Sequence, residues 1–401
     1  MTDRGAPYRV IHVITRLDWG GSAQNTLLTV VGHNRSRFAP LVVAGAIGEW
    51  DDQGGLQASD AQGEVLRKVG ARWEVLPSLT RELNPIRDMI ALWQLIRLFR
   101  RERPAIVHTH TSKAGALGRL AAWIVRVPVL VHTAHGHVYY GHFGRVLSWL
   151  FLLIERVLAW VTTSMIALTE VERDEHLERG VGRTDRFAVI LSGIDVERFR
   201  RAGIGEGARL LGTTYPDGAF VIGSVGWLTP VKGHQFLIEA IAKLKPKYPH
   251  VHLLLIGSGG LRDELKQRAV RLGIESSVDL LGMRTDVPEC LSAMHCFVQP
   301  SLNEGMGRAL VEAMAAARPV VASRVGGMPA IVEDRRTGLL VPPGDAEGLA
   351  AAMTELIERP DWARTLGLAA RERIDASFSV PAMVRAIEAV YDESLKRVGT
   401  A

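Results

Sequence analysis

The sequence is poor in cysteine, with only Cys290 and Cys296 among 401 residues. Two cysteines make neither a disulfide framework nor a zinc-ligand set, so a reducing, cytoplasmic setting is expected. The opening Met-Thr-Asp-Arg-Gly-Ala-Pro holds no apolar core of the signal-peptide kind. A long uncharged apolar run is missing too. Val146 to Leu168 comes nearest, but Glu155 and Arg156 fall in its middle. Each such charge costs about 2.5–3.5 kcal/mol at the centre of a membrane span. The stretch therefore reads as a buried or interfacial helix followed by a strand. No Gly-x-Gly-x-x-Gly follows the first predicted strand, which argues against an ordinary dehydrogenase. Neither sign of charge dominates: 48 Lys and Arg against 43 Asp and Glu leave +5. That mildly basic balance suits a polyanionic ligand, a nucleic acid or an anionic membrane, and does not choose among them.

What is present is a globular composition, 47% hydrophobic and 23% charged, with 40 glycines. The length suggests two or three domains. Short β-branched runs alternate with glycine loops and helical spacing throughout. Tyr8 to Thr15 reads as a strand before Gly20-Gly21-Ser22 and a helix. Leu41 to Ala46 and Trp73 to Leu76 read as strands, Trp50 to Gln62 as a polar loop, and Glu64 to Val69 as a short helix. Pro85 to Arg103 is an amphipathic basic helix. Ile106-Val107-His108 opens a strand that leads to a helix through Val125. Val129 to Thr133, Ser164 to Thr169 and Val189 to Leu191 close the first half as strands. Residues 196–216 read as the connection. The alternation restarts at Phe220 to Val225, with loops at Gly226–Gly233 and Gly257–Gly260. Further strands fall at Val251–Ile256, Val278–Leu281, Cys296–Gln299, Pro319–Ala322 and Leu339–Val341. This pattern predicts two parallel-sheet α/β domains whose ligands bind at the strand ends.

One stretch is richer in chemistry than the rest: Glu304-Gly-Met-Gly-Arg-Ala-Leu-Val-Glu312. It lies between a predicted strand and a predicted helix, where free N–H groups of the first helical turn favour an anion. Gly305 and Gly307 let a ligand approach the backbone. Glu312 lies about two turns beyond Glu304. Carboxylates repel phosphates, so both are expected to accept hydrogen bonds from hydroxyls. An anion flanked by two polyols is the outline of a nucleotide diphosphate sugar.

Gly226…Lys232-Gly233, Glu304-Gly-Met-Gly…Glu312-Ala-Met-Ala, Pro319-Val-Val-Ala, Val325-Gly-Gly-Met-Pro and Gly338-Leu-Leu-Val-Pro-Pro-Gly-Asp345 resemble the family-4 retaining glycosyltransferases of the GT-B fold. His110-Thr-Ser-Lys-Ala-Gly…Gly118-Arg119 and His132-Thr-Ala-His-Gly-His137 resemble the bacterial envelope-polysaccharide branch of that family. The match covers nearly the whole chain, in order.

The resemblance implies two Rossmann-like parallel-sheet domains facing across a cleft. It puts an acceptor-side domain at 1–198, a nucleotide-sugar domain at 199–378, and a helix at 379–401 crossing back to the first. It implies that Glu304 hydrogen-bonds the donor sugar with backbone N–H groups of Gly305, Met306 and Gly307. Glu312 would accept from the ribose hydroxyls and Lys232 would bind the diphosphate. Gly20 and Gly21 would approach the phosphates or sugar, the loop carrying Arg284 would border the base, and His135 would lie near the donor sugar and the attacking hydroxyl. A UDP-sugar donor and a glycan or lipid-linked acceptor follow, with transfer at the inner membrane face.

No Asp-x-Asp pair occurs, and Lys232 with helix ends can stand in for a metal, so no cofactor and no metal are expected. One departure stands out. The family usually has Arg directly after the glycine where this chain has Trp227, and Arg308 or Arg324 are the cations that could compensate. The histidines at 108, 110, 132, 135 and 137 lack an acidic neighbour at ligand spacing, so metal binding is disfavoured, and His132 reads as a core strand residue. Two rival readings are a GT-B-like nucleotide-sugar 2-epimerase and a non-enzymatic polyanion-binding module. The first needs several carboxylates for acid–base work, and few lie at the first-half strand ends. The second needs aromatics interleaved with basic clusters, whereas the arginines here lie along one amphipathic helix, so no nucleic-acid partner is expected.

Overall fold

The structure is a computed structural model, and it describes residues 6–45, 55–136, 144–202, 215–216 and 218–399. His137 lies outside the described residues. The chain divides into two compact units. Unit 1 is Met1–Gly193 with Val380–Ala401, and unit 2 is Ile194–Ser379.

Unit 1 is built on a parallel sheet of β1 (Tyr8–Ile14), β2 (Phe38–Gly45), β3 (Arg72–Leu76), β4 (Ile106–His110), β5 (Val129–Thr133), β6 (Ser164–Ala167) and β7 (Phe187–Val189). Their order is β3-β2-β1-β4-β5-β6-β7. The direction of winding reverses between β1 and β4, and crevices for ligands open at such reversals. Every residue of β4 and β5 is buried, as befits central strands covered by helices on both faces. One face carries the helices Pro85–Glu102, Ser112–Ile124 and Arg145–Val161, with the middle one packed against the other two. The helix Pro85–Glu102 starts cleanly because Asn84 accepts from the Arg87 N–H and Pro85 sits at the first position. It stops where Arg103 turns left-handed.

The other face takes the C-terminal helix Val380–Arg397. Met383, Ile387, Tyr391 and Leu395 pack against Val10, Ile106, Val129 and Ile166. Burying a side chain of this size is worth about 1.5–3 kcal/mol. The last helix is thus part of the first unit's core.

Unit 2 repeats the plan with β8 (Phe220–Val225), β9 (Val251–Ile256), β10 (Val278–Gly282), β11 (Cys296–Gln299), β12 (Val320–Ser323) and β13 (Leu339–Val341). The order is β10-β9-β8-β11-β12-β13, again all parallel, with the reversal between β8 and β11. Leu237, Ile238 and Ile241 of the helix His234–Leu244 meet Leu349, Met353 and Leu356 of Ala346–Glu358 in a core with Ile222, Leu253 and Val298.

Two expectations from the sequence are corrected. Most of the stretch read as a polar loop is helical: a helix spans Gly55–Lys68, longer than Glu64 to Val69. Its apolar positions are sparse, so periodicity does not show it. The last strand of unit 1 is Phe187–Val189, ahead of Val189 to Leu191, because it pairs with Met165–Ala167 of β6.

Candidate functional site

In unit 2 the loops after β8 and β11 lie on either side of the winding reversal. The loop after β8 ends in the short turn Pro230–Lys232 and Gly233. Gly233 is left-handed at φ +69°, and a Cβ on it would stand 2.0 Å from the Pro300 carbonyl oxygen. The Leu302 N–H donates to the Val231 carbonyl at 2.7 Å. These contacts clamp the two loops together and bring Lys232 to Glu304.

The Lys232 ammonium and Glu304 Oε1 are 2.5 Å apart. Gln299 Nε2 at 2.5 Å and Ser301 Oγ at 3.0 Å donate to the same oxygen. The carboxylate is thus held by one oxygen. Its backbone is gripped as well: the Gly327 N–H donates to the Gly305 carbonyl at 2.9 Å, and a Cβ at Gly326 would come 1.8 Å from the Glu304 carbonyl oxygen.

Behind Glu304 begins the helix Arg308–Ala315, preceded by Gly307 at φ +78°. Neither this helix nor His234–Leu244 has a side-chain cap or an acidic residue in its first turn. Both helix starts next to the reversal therefore present uncompensated partial positive charge, which suits an anion. Met306, placed by the sequence beside the donor sugar, is buried.

Glu312 is buried and bonded to Arg308 Nε at 2.9 Å. Burial raises its pKa, and the neighbouring Arg308 and Arg198 oppose that rise. A ribose hydroxyl would suit this partly compensated carboxylate. Arg284 is forked onto Asp286, with bonds of 2.8 and 2.5 Å. Its loop is tied to the one after β9 through the Gly257 N–H and the Gly282 carbonyl, at 2.8 Å. Of the two compensating cations, Arg308 is engaged with Glu312, and Arg324 pairs with Asp334 at 2.8 Å. Lys232 is the cation next to Glu304, and Arg324 is drawn off by its own partner.

In unit 1, Gly20 caps the helix Gly21–Gly32, and its N–H is bonded to Asp18 Oδ1 at 2.7 Å. His135 follows β5 and is left-handed at φ +56°, a conformation uncommon for any residue but glycine. Glu172 holds the neighbouring chain, accepting from the Gly136 N–H and the Leu168 N–H, both at 2.6 Å. His135 Nε2 lies 3.0 Å from His110 Nδ1. Burial lowers the His135 pKa to about 3. His132 is buried in the strand, bonded through Nδ1 to Thr109 Oγ1 at 2.9 Å and lying under Gly115.

The sequence reading therefore named Lys232, Glu304 and Glu312, which the fold brings to one region. It missed Gln299 and Ser301, the donors that fix Glu304. It also missed His12 and His33, which join the histidines of β4. Gln299 ends a buried strand, and a polar side chain in that position was the available signal.

The chain matches the family model described as glycosyl transferases group 1 over residues 219–359. It matches that of the glycosyl transferase 4-like domain over residues 20–193. A galactosyltransferase of Escherichia coli, named for transfer from UDP-Gal to α-D-GlcNAc-diphosphoundecaprenol, is 31% identical over 71% of this chain and 74% of its own length. A capsular polysaccharide biosynthesis glycosyltransferase of Staphylococcus aureus is 28% identical over 80% of this chain and 85% of its own. Among solved structures, Anabaena Alr3699/HepE in complex with UDP and glucose superposes with a TM-score of 0.79 at 25% identity, covering 96% of this chain and all of that one. Two Rossmann-like sheets, a glycine-bordered Lys–Glu pair at the winding reversal of the second, and these matches along both halves lead to one assignment: the chain belongs to the family-4 glycosyltransferases of the GT-B fold.

Proposed function

We propose that this glycosyltransferase takes its sugar from UDP, transfers it with retention to a lipid-linked or growing glycan, and does so without a metal. The observation that carries the donor reading is the pairing of Lys232 with Glu304 between two uncapped helix starts. As the sugar–diphosphate bond breaks, negative charge gathers on the leaving diphosphate. Lys232 and the helix N–H groups meet that charge where it develops. Glu304 turns its remaining hydrogen-bonding capacity to the sugar, and Glu312 holds the ribose. The acceptor oxygen bonds to the anomeric carbon on the face the diphosphate leaves, and its proton departs with the diphosphate. No enzymic carboxylate serves as nucleophile, unlike in retaining hydrolases. The named relatives that act on UDP-Gal with a diphosphoundecaprenol acceptor and bind UDP with glucose support the donor and acceptor classes.

The acceptor reading gains from one face of unit 1. Trp93, Trp123, Trp149 and Trp160 are all exposed on the three adjacent helices, beside Ile86, Met89, Val146 and Val157. Arg87, Arg97 and Arg100 lie on the first of them. Exposed tryptophans beside arginines are the composition of an interfacial surface. No helix among the described residues is long and apolar enough to cross a membrane.

Calorimetry with UDP-, GDP- and ADP-sugars in excess EDTA tests the donor site, on the wild type and on Glu312→Ala. The expected result is selective binding of one UDP-sugar, weakened about tenfold by the substitution, which corresponds to about 1.4 kcal/mol. If no nucleotide sugar binds, the donor reading falls.

A further inference from the structure

Unit 1 holds a hydrogen-bonded chain of imidazoles that has no part in binding the donor. From the surface inward, His135 Nε2 lies 3.0 Å from His110 Nδ1. His110 Nε2 lies 3.1 Å from His12 Nδ1. His12 Nε2 lies 3.2 Å from His33 Nε2, and His33 Nδ1 lies 3.1 Å from Glu388 Oε1. The members come from the loop after β5, from β4, from β1, from the residue that caps the helix Gly21–Gly32 and from the C-terminal helix. His12, His33 and His110 are buried. Each ring nitrogen inside the chain has one partner, and the chain ends on a carboxylate that also accepts the Asn34 N–H at 2.8 Å.

With one proton on each imidazole, the direction of every bond follows from that end. Burial raises the Glu388 pKa, but the bonds from His33 and the Asn34 N–H outweigh it and leave the carboxyl lowered and ionised. An ionised carboxylate only accepts, so His33 Nδ1–H donates to it. A neutral imidazole has one donor and one acceptor. In the neutral chain His33 Nε2 therefore accepts from His12 Nε2–H. His12 Nδ1 accepts from His110 Nε2–H, and His110 Nδ1 accepts from His135 Nε2–H. Burial keeps His12, His110 and His135 neutral. Among the described residues, no partner takes His135 Nδ1.

We propose that Glu388, His33, His12 and His110 form a positioning relay that fixes His135 as the Nε2–H tautomer and presents its Nδ1 as an acceptor for a sugar hydroxyl. The inference rests on the reading that His135 meets the substrate. It explains why a residue of the last helix bears on a loop of the first unit. The same histidines could be taken for a metal site, since ligand atoms of His12, His108 and His110 lie within 4.8 Å of one another. Their nitrogens are already committed. Those of His12 and His110 serve the relay, and His108 is bonded to Tyr391 Oη at 2.6 Å and Thr133 Oγ1 at 2.8 Å. No carboxylate belongs to that cluster.

The test is 15N-detected histidine NMR of the full chain, which reports which ring nitrogen carries the proton. The wild type is expected to show His135 protonated at Nε2 alone. His12→Phe cuts the relay without touching His135 and is expected to give a mixture of tautomers. Glu388→Leu is expected to do the same, whereas Glu388→Gln, which keeps an acceptor oxygen, is expected to hold the wild-type tautomer. In steady-state assays His12→Phe is expected to lower kcat about tenfold with the donor KM within twofold. A wild-type His135 protonated at Nδ1, a tautomer unmoved by His12→Phe, or a stoichiometric metal on the purified protein would each overturn the relay. Tautomers as expected with kcat unchanged would uphold the relay and overturn the placement of His135 at the substrate.

Discussion

Acid should unfold unit 1 well before it titrates ordinary carboxylates. His12, His108, His110 and His132 all have pKa values held well below 6.5, first by burial and then by neighbouring imidazoles that cannot all take a proton, with Arg119 beside His132 and Arg35 near His12 adding to it. His135 joins them at about 3, again through burial. The folded state thus binds fewer protons than the unfolded state once the pH falls below 6.5. Stability is full above that value and is lost as the pH drops towards the folded-state pKa values. Each ring that stays neutral while its unfolded counterpart titrates costs about 1.4 kcal/mol per pH unit. Five rings together reach roughly 7 kcal/mol by pH 5.5, comparable to the stability of a typical domain. Urea unfolding between pH 7.5 and 5.5 measures the loss. Tryptophan fluorescence reports mainly on unit 1, because only Trp227 and Trp362 of the nine tryptophans lie in unit 2. The expected result is a midpoint that falls steeply across this range. A midpoint that is level, or that rises on acidification, would refute burial of these imidazoles in neutral form.

Other perturbations have equally direct readouts. Gly233→Ala forces a Cβ towards the Pro300 carbonyl in left-handed backbone; it should cost unit 2 about 1–3 kcal/mol or more in urea unfolding and weaken donor binding in calorimetry. Glu155→Ala leaves Arg119 buried without its carboxylate, which now bonds the guanidinium at 2.7 Å through both oxygens, and should cost about 3–5 kcal/mol. The double change Arg119→Met with Glu155→Leu should recover most of that loss in the same assay. Co-sedimentation with phosphatidylglycerol vesicles should capture the wild type at low salt, and Trp149→Ala with Trp160→Ala should release it; a wild type left in the supernatant removes the membrane from the proposed function.

Much of the architecture is legible because its signals are local. Glu304, its glycines and Glu312 lie within one strand–loop–helix junction, so residue type and spacing suffice to single them out. Lys232 stands out by its place before Gly233 at the second such junction. What joins them is not local. The grip of Gln299 and Ser301 on Glu304 depends on how β11 ends, and the Lys232–Glu304 pair depends on β8 and β11 being sheet neighbours. The imidazole chain is harder still: His12 and His110 meet only because β1 lies beside β4, and Glu388 arrives from the far end of the sequence. The helix Gly55–Lys68 escaped for another reason, since its polar composition hides the apolar period. Trp227 remains a departure that nothing in the structure explains.

The return of the last helix to unit 1 has a consequence for the order of events during synthesis. Unit 2 is one continuous stretch, 194–379, and all its strands have left the ribosome before the last helix is made. Unit 1 has its sheet first but waits for Val380–Arg397 to cover Val10, Ile106 and Ile166 and to supply the partners of His33 and His108. Domains generally fold N-terminal first as the chain emerges. Here the first unit to be translated is the last that can close, and a chain stopped short of residue 380 would carry an open apolar face, a ready substrate for chaperones and proteases.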